Sequence, residues 1–226
     1  MKVAIIYNGN VRTLEQTIDN NIEKFEFLNP DYFASTYLHK YGYHPAVQTS
    51  TGFFTDEELT IEQVYAQYEK LNTKDILIDR IQDMTTFYES EQHKINPNMN
   101  HVSSYLQYVK LKTGLKMIKN YDVIIKTRCD LLLNNISHIN FDNIDNKLIV
   151  DKGNIFPNDC IFMTSTEKMY KLADFMVNEF YNLTDVESST NPPHGLLCSA
   201  CRHLNLEIEQ HHIIDCVIRA NTRIYL

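Results

Sequence analysis

The stretch Tyr121-Asp122-Val123-Ile124-Ile125-Lys126-Thr127-Arg128-Cys129-Asp130 decides the reading of the fold. Val123-Ile124-Ile125 is a short β-branched apolar run, too short for a helix and suited to a buried strand. Such a strand delivers Arg128 and Asp130 at its C-terminal end. The two are two residues apart, so an extended backbone points both to one side. In open α/β sheets, ligands bind outside the carboxyl ends of the strands. A carboxylate there can hold a divalent cation, and a guanidinium beside it can neutralise phosphate. The pair equally fits a plain salt bridge at a strand end, because Arg-x-Asp is short and common.

Upstream, Val3-Ala4-Ile5-Ile6-Tyr7 reads as a first buried strand, and Asn8-Gly9-Asn10 as a turn after it. Leu14, Ile18, Ile22 and Phe25 then recur at helical spacing. Strand, glycine turn, helix is the opening of an α/β unit whose loop can approach a nucleotide closely. The pattern is not the Gly-x-Gly-x-x-Gly of dinucleotide folds. Arg12 beside this loop either reaches a phosphate or is a solvated arginine at a helix start.

The same alternation continues along the chain. Strands are expected at 31–37, 76–78, 148–150 and 161–163, and Leu131 to Leu133 continues the apolar run after Asp130. Helices are expected at 55–71, 103–119, 166–181 and 194–204, the second of them capped by Ser103 or Ser104. Ile213 to Ile224 reads as a strand or an irregular edge, and residues 39–54, 85–102 and 185–193 read as loops. Asp159 follows Pro157-Asn158, which places it on a turn that Ile161-Phe162-Met163 anchors to the sheet. A carboxylate on such a turn points into a cleft without core burial, or else caps a nearby backbone N–H. Alternating strands and helices imply one domain over 1–226, with a mixed, mostly parallel sheet covered by helices on both faces.

Composition sets the outer limits. The chain has 226 residues, 43% hydrophobic and 22% charged, as expected for a soluble globular protein. Its net charge of −8 argues against binding a nucleic-acid backbone, which needs a basic surface. No run approaches the roughly 18 apolar residues of a membrane span, and Met1 to Tyr7 is too short for a signal peptide. The five cysteines are odd in number and lie in the second half. They read as reduced thiols of an intracellular, cytoplasmic protein. Cys198-Ser-Ala-Cys201-Arg-His203, with His211 and His212 beyond, has the first half of a zinc-knuckle spacing. Its cysteines fall inside an apolar helical run, where thiols pack as small hydrophobes.

Four blocks together resemble glycosyltransferases of the GT-A kind, especially the group of WavE-type lipopolysaccharide-synthesis and viral proteins. The first is Val3 to Thr13, an opening strand with a Gly9-x-x-Arg12-Thr13 loop. The second runs from Tyr105-Leu106-Gln107 through Lys119 into the strand Tyr121 to Asp130. The third is Asn158-Asp159-Cys160-Ile161-Phe162. The fourth is Pro192-Pro193-His194-Gly195-Leu196-Leu197, followed by a helix and a terminal Ile218-Arg219. They occur in the group's order over nearly the whole chain. Cys129 stands where the group often has proline, Asn10 where it often has Gln or Glu, and His194 where it often has an acid. Arg128-Cys129-Asp130 replaces the usual Asp-x-Asp and leaves one carboxylate there.

The resemblance implies a GT-A-like, Rossmann-like fold and transfer of a sugar from a nucleotide-sugar donor to a glycan or other hydroxyl acceptor. It implies Mn²⁺ or Mg²⁺ on Asp130, which otherwise meets sugar hydroxyls. Gly9 and Asn10 would form the nucleotide loop, and Arg12 would meet phosphate. Arg128 would bind donor sugar or phosphate, and His194 would bind substrate. Asp159 is the expected base. A decayed transferase fold kept as a binding or scaffold protein, or a nucleotidyltransferase, also fits these residues. Donor, acceptor, stereochemistry and oligomeric state have no signal in the sequence.

Overall fold

The strand Val3–Asn8 (β1) is buried at all six positions, and so are the five residues of Val123–Thr127 (β4). Burial on both faces is what a continuous β-branched run produces at the centre of a covered sheet. The two strands lie side by side and parallel, with Ile5 opposite Ile125 and Tyr7 opposite Thr127. The structure, a computed structural model, describes residues 1–38, 58–79, 102–152, 158–179, 192–219 and 222–225.

Among the described residues, Asp31–Tyr37 (β2) and Asp75–Asp79 (β3) extend the sheet in parallel beyond β1. On the other side, Asn158–Ser165 (β7) runs antiparallel to β4. It also pairs antiparallel with Lys147–Asp151 (β6), which in turn pairs in parallel with Glu207–His211 (β8). The order is therefore β3-β2-β1-β4-β7-β6-β8, mixed and mostly parallel. A second, antiparallel sheet joins Leu131–Leu133 (β5), Ile214–Arg219 (β9) and Thr222–Tyr225 (β10).

Side-chain alternation sorts the core into two layers. Val3, Ile5, Tyr7, Val123 and Ile125 pack toward the helices Leu14–Phe25 (α1) and Ile61–Tyr68 (α2). Ala4, Ile6 and Ile124 pack toward Val102–Leu115 (α3), Thr166–Asn178 (α4) and Pro192–Leu204 (α5). The contact of α3 with the sheet is close. A Cβ on Gly114 would sit 2.6 Å from the Ser35 Cβ and 2.9 Å from the Ile6 Cδ1. Only glycine permits that approach, and in the first half of α3 the Gln107 carbonyl meets Asn8 at the end of β1.

Several local expectations change. The helix expected at 55–71 is α2 plus a 3-10 turn, Glu69–Leu71. Thr60 and Gln63 form a capping box that fixes where it starts. α3 begins at Val102, so Ser103 and Ser104 lie inside its first turn and do not precede it. It ends at Leu115, short of Lys119, and α4 ends at Asn178, short of 181. α5 begins at Pro192, where a missing N–H costs nothing. Leu131 to Leu133 is not a continuation of β4 but a strand of the second sheet. The expected loop at 39–54, and most of those at 85–102 and 185–193, lie outside the described residues.

Candidate active site

The loop after β1 turns at Gly9, whose φ of +114° suits glycine and whose N–H donates to the Ser35 carbonyl at 3.0 Å. Among the described residues, nothing lies within 4 Å of where a Cβ on Gly9 would be. Asn8 is buried and donates through Nδ2 to the Gln107 carbonyl of α3 at 3.0 Å. Asn10 is half-buried. Arg12 adopts the left-handed region, φ +51°, a conformation that costs a side-chain-bearing residue roughly 1–2 kcal/mol. Non-glycine residues hold such conformations when surrounding contacts over-determine them. Here the contact is Arg12 Nη1 on Asp130 Oδ2, at 3.0 Å.

β4 stops at Thr127, and Arg128-Cys129-Asp130 forms the turn after it. Arg128 grips Asp130 with both arms of its fork, Nε to Oδ1 at 2.9 Å and Nη2 to Oδ2 at 2.5 Å. Its remaining Nη1 donates to Cys160 Sγ of β7 at 3.1 Å. Asp130 is 0% exposed. Burial works against the Arg128 cation, but Asp130 and the other anions around it more than offset that, so its pKa is raised. Three elements pin the turn from behind. Thr17 of α1 donates to the Cys129 carbonyl at 2.6 Å, and the Tyr68 hydroxyl of α2 meets Cys129 Sγ at 3.2 Å. From β9, the Ile218 N–H donates to the Asp130 carbonyl at 2.8 Å. Burial pushes the Cys129 thiol up to about 12, so it stays protonated and inert.

Asp159 corrects an expectation. It lies within β7, second residue of the strand and not on a preceding turn, and it is buried at 8% exposure. The antiparallel pairing of β7 with β4 sets it there, beside the turn that carries Arg128. Its Oδ2 accepts from Gln107 Nε2 at 2.9 Å and from the Tyr108 hydroxyl at 3.4 Å, both on α3. Burial first, then Asp159, raises the Tyr108 pKa well above its ordinary value, keeping that hydroxyl a donor. Beneath lies Lys126, fully buried, with Nζ donating to the Asp159 carbonyl at 2.5 Å and the Cys160 carbonyl at 3.4 Å. Burial lowers its pKa to about 8 against the pull of Asp159.

Of the residues expected to form a site, Arg12, Arg128 and Asp130 touch directly. Asn8, next to Gly9, reaches Asp159 through Gln107, and Arg128 reaches β7 at Cys160. His194 falls in the first turn of α5, and its side chain lies outside what is described. Gln107, Tyr108, Lys126 and Cys160 were not expected to take part. A lysine inside a strand otherwise read as buried was a signal for one of them, since lysine is almost never fully buried unless paired.

The donor set around Asp130 does not fit a resident divalent cation. Mn²⁺ and Mg²⁺ need oxygen lone pairs, and both oxygens of this carboxylate accept from guanidinium groups. Among the described residues, no group of three or more His, Cys, Asp or Glu is placed to hold a metal. Cys198 and Cys201 are buried in α5, as small hydrophobes would be.

No family model and no curated protein matches the sequence. Two solved structures of LgtC are similar to this chain. An active-site mutant of LgtC aligns with a TM-score of 0.51 and 9% identity over 93% of this chain and 72% of that one. The galactosyltransferase LgtC in complex with donor and acceptor sugar analogs aligns with a TM-score of 0.46 and 9% identity, over 88% and 70%. At this identity the likeness is one of fold, a single-domain GT-A-like architecture. No helix among the described residues is long and apolar enough to cross a membrane.

Proposed function

We propose that this chain, as one glycosyltransferase domain, moves a sugar from a nucleotide-sugar donor to a hydroxyl acceptor, such as a glycan. One observation carries the reading. At the carboxyl edge of the central strands, an open glycine loop, two arginines on one buried carboxylate, and a second carboxylate held by neutral donors stand together. The GT-A-like fold supports it, and so does LgtC, a galactosyltransferase solved with donor and acceptor sugar analogs.

The transfer breaks the bond from the sugar C1 to the diphosphate oxygen, which leaves with the electron pair. It forms a bond from C1 to the acceptor oxygen, whose proton needs a base. Arg12 and Arg128 meet the charge that develops on the leaving diphosphate. Asp159 takes the acceptor proton, its Oδ2 oriented by the Gln107 amide and the Tyr108 hydroxyl. Gly9 and Asn10 let the nucleotide lie against backbone. Asp130 holds the two arginines in their orientation, and His194 at the start of α5 contributes to substrate binding.

The test is a thermal-shift and turnover screen over nucleotide sugars. A ligand that binds only the native state raises the melting point, and a transferase releases nucleoside diphosphate from one donor. Release of pyrophosphate from a nucleoside triphosphate would instead make the chain a nucleotidyltransferase. Binding of no donor at all would make it a decayed fold.

A further inference from the structure

We infer that this site binds the diphosphate of its donor through Arg12 and Arg128 without a divalent cation. The inference rests on the glycosyltransferase reading and goes beyond it, because the position where an Asp-x-Asp pair would hold a metal is rebuilt around arginine.

Three observations carry it. The first is the state of Asp130. A cation bound there would have to displace two guanidinium groups that are already within hydrogen-bond distance, at 2.5 and 3.0 Å. It would then face both positive charges across a site where Asp130 itself is wholly buried. Repulsion between like charges is poorly screened at that depth.

The second is the charge count. Among the described residues, three cations, Arg12, Arg128 and Lys126, gather around Asp130 and Asp159 on a chain whose net charge is −8. A local positive field in an otherwise acidic protein concentrates anions at that spot. A diphosphate is such an anion, and guanidinium supplies the charge and the planar pairs of N–H donors that phosphate oxygens accept.

The third is preorganisation. Arg128 is held on one side by Asp130 and on the other by Cys160 Sγ. Arg12 is held in a left-handed backbone conformation with its guanidinium on the same carboxylate and its side chain 31% exposed. Donors fixed before the ligand arrives lose little freedom on binding and need no reorganisation as charge develops. Arg12 lies on the solvent side of this triad and Arg128 on the inner side, so an incoming anion meets Arg12 first.

The experiment is calorimetric titration of the full chain with UDP, GDP, CDP and ADP, in buffer with EDTA and again with Mn²⁺ or Mg²⁺. The expected result is that one diphosphate binds in EDTA with an affinity within about threefold of that with metal, a difference of under 1 kcal/mol. Binding that appears only with metal overturns the inference and leaves the glycosyltransferase reading intact. Binding of none in either buffer, together with no donor in the thermal-shift screen, overturns that reading too. Arg12→Gln, chosen because Arg12 is partly exposed, should weaken the EDTA affinity by about 10–100-fold, the worth of one hydrogen bond to a charged group. Unchanged affinity in a folded Arg12→Gln protein overturns the inference.

Discussion

Asp130 and Asp159 stand at the same edge of the same sheet, both buried, yet they are held in opposite ways. Asp130 accepts from two guanidinium groups, which cancel its charge and fix its geometry. Asp159 accepts from an amide and a phenol, which orient it, and feels the Lys126 and Arg128 cations through space. A buried carboxylate inside ion pairs acts as a counter-ion, whereas one that accepts from an amide and a phenol is oriented by them. The contrast teaches that being buried at a strand end does not by itself make an acid catalytic. The partners decide.

The largest effect that could break this contrast is at Asp130. Asp130→Asn leaves two guanidinium groups without their counter-charge, Arg128 in the interior. Breaking a buried pair in this way costs about 3–5 kcal/mol, which for a chain of this size is a fall in Tm on the order of 10 °C. Thermal unfolding by circular dichroism checks it. A variant as stable as wild type would mean that Asp130 is not the counter-ion described here.

A smaller effect sharpens the other half. Lys126 carries the backbone of Asp159 and Cys160, and burial lowers its pKa to about 8. An unfolded lysine titrates near 10.4. Between those values the unfolded chain holds a proton that the folded chain has lost, so stability contributed at this site rises with pH from about 8 to 10. The wild type should therefore gain on Lys126→Met across that window, by up to about 3 kcal/mol. Taking the difference between the two proteins removes the buried thiols and tyrosines, whose raised pKa values act in the opposite direction at high pH. A difference that is flat with pH would mean that Lys126 is not buried as a cation.

The smallest effect concerns the turn. Tyr68→Phe removes the hydroxyl on Cys129 Sγ and should cost about 1 kcal/mol. If Cys129 is a hinge of the Arg128–Asp130 turn, donor affinity also weakens by a few-fold, at about 0.5–1 kcal/mol. Loss of stability with unchanged affinity would confine Tyr68 to the core.

Much of this fold was legible in the chain itself. The β-branched runs of β1 and β4 read as central strands because burial on both faces leaves no polar alternation to confuse them. The Arg128–Asp130 contact followed from their spacing of two. Other features had no local signal. β8, Glu207–His211, is a half-exposed edge strand rich in polar residues, and only its pairing with β6 identifies it. Leu131 to Leu133 is equally apolar whichever sheet it joins. Asp159 read as a turn residue because Pro157-Asn158 precedes it, whereas ladder pairing with β6, Asp151 opposite Asn158, starts the strand before it. Gln107 and Tyr108 act across the interface between α3 and β7, a tertiary contact that spacing along one helix does not reveal.

We propose that Asp159 performs the chemistry while Asp130 holds the arginines. The most direct test is the turnover of Asp159→Asn on the donor that the nucleotide-sugar screen selects, measured with donor Kd and Tm on the same preparation. An Asn oxygen can still accept from Gln107 and Tyr108, so the fold and donor binding should persist. The account predicts a kcat lower by about 10²–10⁴-fold, with donor Kd unchanged within about twofold and Tm within about 3 °C. A variant with wild-type kcat, or one that loses stability as Asp130→Asn does, would contradict it.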